Sequence, residues 1–391
     1  MLKFWRAGLA LCVILAGCVA PAPPASPACD RFAPSEPDRT ARHEPPVPDL
    51  PAPPARTTRA FRSAVHTVFI DETVARLAVE AGFDTLVQVW PWRDLQSEPD
   101  RFTWAAVDAL VAAAVRHGLD IVARLDMPPA WAVREATSGL PFDLAAYTRF
   151  VAAAAARYRG YVLGYIIWNE PNLAAEWSRS GGTSADHWEA YTGWVADPAD
   201  YLGVVGAAHR AIRAADPQAL VIAGGLAPTN EVSERALDDR EFLRQLYAAG
   251  APDCFDVLAV HAYGYGLAPD ADPAANDGLN LARVEALRAI LTGHGDRRPV
   301  WITELGYTLR AGDHPAVTEQ RQAQYLVGAY RRVCDDWPWI EMLTVWNLSY
   351  GRPPEEEASG FSLVAPDLTP RPAYAALQAL NQRGGCRRQN P

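Results

Sequence analysis

The sequence predicts an α/β protein built as a single (β/α)8 barrel, the TIM-barrel arrangement, and three observations carry that expectation. From about residue 60 one unit recurs: an amphipathic helix, a short glycine-containing turn, an apolar strand and a polar strand tip. Collecting the strands gives eight, and each is nearly continuous in apolar residues, as in parallel sheets covered by helices. The repeating part, roughly 320 residues, suits one barrel with loop insertions. A doubly wound open sheet shares the alternation. No strand here is followed by a G-x-G-x-x-G turn, however, and Gly264 and Gly266 lack that spacing.

The strands are expected at about 61–68, 85–90, 120–126, 162–169, 219–224, 255–261, 299–304 and 341–347. Between them, helical spacing covers 72–80, 105–115 and 241–249, with a last helix near 371–382. Gly82, Gly118 and Gly250 follow three of these helices, where a left-handed cap is expected. Asp197-Pro198 and Thr369-Pro370 read as N-cap and first-turn pairs.

Ahead of the barrel domain, 59–391, two segments stand apart. Lys3 and Arg6 precede a short apolar run from Leu9 to Leu15, which is too short to span a bilayer comfortably and reads as a secretory signal. "LAGC" at 15–18 resembles a bacterial lipobox, which would make 1–18 a lipoprotein-type signal and Cys18 the lipidated residue. An ordinary signal peptide is the alternative. Residues 19–58 are rich in Pro, Ala and charge and are expected to form a disordered tether, spanning roughly 35 Å coiled to 120 Å extended. The expected location is therefore the bacterial cell envelope through a lipid anchor, or secretion. A net charge of −10 without a Lys/Arg block excludes nucleic acid as a partner. A monomer is expected.

With Cys12 in the signal and Cys18 acylated, Cys29, Cys254, Cys334 and Cys386 remain in an oxidising compartment. Cys254 precedes one strand and Cys334 ends a helix leading to another, so a Cys254–Cys334 pair is expected, leaving Cys29–Cys386. Neither pair is spaced like a metal site.

In such a barrel, chemistry sits at the C-terminal strand ends. Those tips offer Trp92, Arg124 and Asp126, Asn169 and Glu170, Gly224-Gly225, His261 and Tyr263, Glu304, and Trp346 and Asn347. "YIIWNEPN" ends its strand on Glu170 before Pro171 stops the ladder, and "PVWITELGYT" ends on Glu304. Tips three strands apart in a closed barrel face each other across the mouth. Two carboxylates over one gap suit glycosidic cleavage, one protonated to serve the leaving oxygen and one ionised to attack. Tyr263 is a candidate donor to Glu304, Asn169 a contact for a sugar hydroxyl, and Trp346 a flat face under a sugar ring. Each has a structural alternative: His261 as a core histidine, Tyr263 and Trp346 as packing, Arg124 with Asp126 as an ion pair. The loop at 173–194 brings Trp177, Trp188, Tyr191 and Trp194, either to line further subsites or to pack the insertion.

"WNEP" at 168–171, "HAY" at 261–263, "TELG" at 303–306 and "VWN" at 345–347 resemble clan A of the glycoside hydrolases, over about residues 60 to 382. Within the clan the likeness is nearest to the family 39-like group and to cellulase-family bacterial glycosidases. That resemblance implies a retaining enzyme with Glu170 as acid/base, Glu304 as nucleophile, Asn169 on the 2-hydroxyl and Tyr263 orienting Glu304. Many members carry an arginine at the tip of strand two. Here that strand reads "LVQVWPW", leaving Arg124 or Gln88 to take its place.

The expected function is retaining hydrolysis of a poly- or oligosaccharide, with no cofactor and no metal. A transglycosylase would use the same two glutamates. A non-catalytic sugar-binding barrel would need the cleft but not both acids. A metal hydrolase would want clustered histidines at strand tips, and the eight here are scattered.

Overall fold

The computed structural model describes residues 50–54, 59–68, 70–133, 140–177, 197–351 and 355–386. Cys18, Cys29, Trp188, Tyr191 and Trp194, with the signal and most of the expected tether, lie outside the described residues. Eight strands close into one parallel barrel in chain order. They are β1 (Arg62–Thr67), β2 (Thr85–Pro91), β3 (Asp120–Asp126), β4 (Val162–Ile167), β5 (Leu220–Leu226), β6 (Val257–His261), β7 (Val300–Leu305) and β8 (Ile340–Val345). One main helix follows each strand: α1 (Glu72–Glu80), α2 (Ala105–Arg116), α3 (Leu144–Arg157), α4 (Pro198–Ala215), α5 (Asp239–Ala248), α6 (Arg283–Gly293), α7 (Glu319–Asp336) and α8 (Pro372–Gln382).

Local chemistry sets the helix ends. Asp71, Asp143, Asp197, Asp238 and Thr318 each accept a backbone N–H of the first turn, filling donors that a helix start leaves open. Gly82, Gly118 and Gly250 take positive φ just beyond α1, α2 and α5. The last helix starts one proline later than Thr369-Pro370 suggests: Arg371 is its N-cap, and Pro370 instead bridges to Val364.

Alternate strand residues fill the barrel interior. Ala64, Val87, Val122, Ile166, Ile222, Val257, Ala259, Trp301 and Met342 form that inner core, while the opposite strand faces pack on the helices. Helix tyrosines finish the strand tops where ladder bonding stops. Tyr147 on α3 donates to the Leu125 carbonyl at 2.7 Å. Tyr201 on α4 donates to the Ile167 carbonyl and accepts from Gly224 N, both at 2.8 Å.

Two expectations change here. Cys334 pairs with Cys386, and Cys254 is disulfide-bonded as well, so the Cys254–Cys334 pair does not form. The reason is topological. Cys254 and Cys334 do share the N-terminal end of the barrel, but α8 packs along α7 and delivers the tail to Cys334 first. The second change concerns residues 50–54 of the expected tether, which rest on the barrel. Leu50 packs against the core, and Tyr161, just ahead of β4, donates to the Pro51 carbonyl at 2.9 Å. Proline-restricted backbone has less freedom to lose on docking, so one leucine and one hydrogen bond go further there.

Candidate active site

Glu170 and Glu304 meet at the C-terminal mouth. One oxygen of each, with a ring nitrogen of His261, all lie within 4.8 Å of one another. The backbone is bent to achieve this. Trp168 and Glu170 take positive φ (69° and 35°) directly after β4, rare for side chains of that size and typical of functional sites. The turn is held by Glu170 N donating to the Gly225 carbonyl at 3.1 Å. Register shifts at Gly224/Leu226, Val260/His261 and Ile302/Leu305 place bulges at three neighbouring tips, where they re-aim side chains.

Glu304 is buried between three donors. Tyr263 gives its phenol proton to Oε2 at 2.7 Å, Arg124 donates to Oε1 at 3.0 Å, and His261 Nδ1 stands 3.7 Å from Oε2. Burial alone would raise its pKa. The charges of His261 and Arg124, with the Tyr263 bond, outweigh burial and hold it below the usual carboxylate range. Tyr263 itself is pushed well above its ordinary value by burial and then by Glu304, so it remains a donor. Arg124 also donates to Asn169 Oδ1 at 2.6 Å, and Asp126 braces its Nε at 2.8 Å. Arg124 thus brings a guanidinium to Glu304 from β3, whereas Gln88 on β2 bonds Thr67.

Glu170 sits half-buried and bonds His261 Nδ1 at 2.7 Å. Burial would lower the His261 pKa, but the charge of Glu304 and the bond and charge of Glu170 outweigh it and raise it. Gly225 gives the ring its place: a Cβ there would lie 3.1 Å from His261 Nε2. Trp346, after β8, is half-buried at the mouth with its ring against Tyr350 and Phe361.

Three expected contacts do not face a ligand. Trp92 is fully buried, stacked on Phe150 at 5.7 Å and edge-on to Trp131 and Tyr147. Trp177 is buried too, stacked on Trp168 at 4.7 Å, with its indole N–H donating to the Pro171 carbonyl. Asn347 is enclosed and accepts from Ser362 Oγ at 2.8 Å. Asp126, at 2 % exposure, meets the mouth through its ion pair with Arg124.

Two titratable groups were not anticipated. His66 lies next to the end of β1, beside Trp346; burial pushes its pKa down to about 3, so it is neutral. Its signal was a strand, "RSAVHT", with an imidazole next to its last residue. Glu176 lies in the single turn Ala174–Trp177, where "NLAAEW" puts one acid six residues past Glu170. As for metals, Glu170, His261 and Glu304 are close enough to share a cation. Their atoms are instead engaged with one another and with Tyr263, and the Arg124 guanidinium on Glu304 opposes a second positive charge.

Comparison with known proteins follows the same lines. The family described as Cellulase (glycosyl hydrolase family 5) matches residues 54–340. No curated protein matches. Among solved structures, a family 39 glycoside hydrolase from Bacteroides cellulosilyticus WH2 is similar at 19% identity and TM-score 0.63, covering 82% of this chain and 63% of that one. This chain thus spans less than two thirds of that protein's length. GH5_18 from Streptomyces cattleya, in complex with GlcNAc, is similar at 18% identity and TM-score 0.60, covering 86% and 82%. Xylanase 10B from Thermotoga petrophila RKU-1, in complex with xylobiose, is similar at 16% identity and TM-score 0.56, covering 83% and 94%. At these identities the likeness concerns the fold.

Proposed function

Because the chain belongs to the cellulase family, glycosyl hydrolase family 5, within clan A of the glycoside hydrolases, we propose that it is a retaining O-glycosidase acting on a poly- or oligosaccharide. The observation that carries the proposal is the approach of Glu170 and Glu304 to within 4.8 Å. Retaining enzymes separate their carboxyl groups by about 5–5.5 Å, whereas inverting ones leave about 6.5–9.5 Å for a water.

Glu304 attacks the anomeric carbon. The bond to the leaving oxygen breaks as that oxygen takes the proton from Glu170. The 2.7 Å bond to His261 Nδ1 holds the Glu170 carboxyl group in place for that transfer. Arg124, Tyr263 and His261 stabilise the carboxylate that attacks and that later departs. In the second half a water gives its proton to Glu170, its oxygen replaces Glu304 at the sugar, and the enzyme returns to its first state. Asn169, oriented by Arg124, offers its amide to the 2-hydroxyl, and Trp346 its ring face to the sugar.

An array of aryl glycosides and polysaccharides, with product stereochemistry read by NMR, tests this. Net retention and release to water are expected. Inversion would remove the double displacement, transfer to a sugar acceptor would make the protein a transglycosylase, and binding without turnover would leave a lectin-like barrel. Glu304→Ala should lose turnover by at least about 10⁴-fold while remaining folded; activity near wild type in that variant overturns the assignment.

A further inference from the structure

The wall of the mouth between β8 and β1 carries an imidazole that the fold itself leaves unbonded. Ala64 faces the barrel interior, so His66, two residues further along β1, faces the same way. Its register partner on β2, Val87, belongs to the inner core as well. His66 is the last inward position of β1, and its ring stands 6.4 Å from that of Trp346. Leu348 N donates to the His66 carbonyl at 2.9 Å, which pins this stretch of backbone to the chain just past Trp346. At 3 % exposure, neither ring nitrogen of His66 has a hydrogen-bond partner among the described residues. Two neighbouring imidazoles are treated differently: His261 Nδ1 bonds Glu170 at 2.7 Å, and His314 Nδ1 bonds Glu357 at 3.0 Å. A buried polar atom without a partner opposes folding, so a ring with two of them calls for a role outside the fold's own bonding.

We propose that His66 is a specificity-determining residue of the sugar site: its imidazole bonds a ring hydroxyl remote from the anomeric carbon, at position 3 or 4 of the sugar attacked by Glu304. This rests on the glycosidase reading given above. A neutral imidazole offers one N–H donor and one bare nitrogen as acceptor, and a hydroxyl group both donates and accepts, so each satisfies the other. Burial keeps His66 in that neutral form. Position selects the hydroxyl. In the glycosidase reading Asn169, after β4, holds the 2-hydroxyl and Trp346, after β8, lies under the ring. β1 is next to β8 and three strands from β4, so its wall meets the ring edge beyond the 2-hydroxyl.

The test measures kcat/KM of the full chain and two variants on the 4-nitrophenyl glycoside that the array selects, and on its 3-deoxy and 4-deoxy forms. His66→Leu removes both nitrogens at similar bulk. The wild-type preference for the hydroxylated sugar over one of the two deoxy forms should shrink by about 10-fold to 10²-fold in that variant. His66→Gln, which keeps a donor and an acceptor, should retain more of the preference. Because no bond of the fold is lost, the Tm of His66→Leu should stay at or above the wild-type value, which a structural histidine would not allow. A loss shared equally by all three sugars, or no loss on any, would make His66 a packing residue and overturn the inference. If Glu304→Ala keeps its turnover, the glycosidase reading fails instead, and the two failures are told apart.

Discussion

The tips of β4 and β7 present the same side chain in two settings. Glu304 is held from three sides by Arg124, Tyr263 and His261 and is kept ionised despite burial. Glu170 is half-buried and bonded to one imidazole. A carboxyl group surrounded by donors suits attack on carbon, and one among proton-sharing partners suits acid and base work. Identity of residue says little about role here; the surroundings assign it.

The contrast is open to direct disruption. The largest split comes from the β4 side. Glu170→Ala should lose about 10³-fold or more on substrates with poor leaving groups and far less in the first step on activated ones. Added azide, which needs no general base, should restore the second step, and equal losses across leaving groups would erase the distinction between the tips. On the β7 side, Arg124→Met removes a cation from Glu304 and the partner of Asn169, and kcat/KM should fall about 10²-fold to 10³-fold. The charge of Arg124 helps depress the Glu304 pKa, so its loss lets that value rise. Glu304 must be ionised to attack, so the acid limb should then move to higher pH. A third variant, Tyr263→Phe, deletes one O–H donor and leaves both charges, so a loss of about 10-fold to 10²-fold and a smaller move of the same limb in the same direction are expected. A pH profile unmoved in both variants would mean that the surroundings of Glu304 do not set its ionisation.

Much of this arrangement is legible in the sequence because parallel strands are written as continuous apolar runs. β3 falls on its expected bounds, and the others agree within a few residues at either end. Glu170, Glu304, His261 and Tyr263 were readable as strand tips because a closed barrel converts tip position into proximity. What escaped depends on side-chain direction or on long-range docking. Trp92 and Trp177 stand next to the rim in sequence, yet a large flat ring finds more partners inward, on Phe150 and on Trp168. The pairing of Cys334 follows from how α8 lies on α7, which no local spacing encodes. Glu176 comes beside the β4 tip only because its turn folds back to Trp168. Of the Gly224-Gly225 pair at the β5 tip, the second member gives His261 room.

Residues 50–54 rest beside Tyr161, which precedes β4 and so lies at the end of the barrel opposite the catalytic rim. The contact that seats them is therefore one that a glycan entering at the rim does not meet.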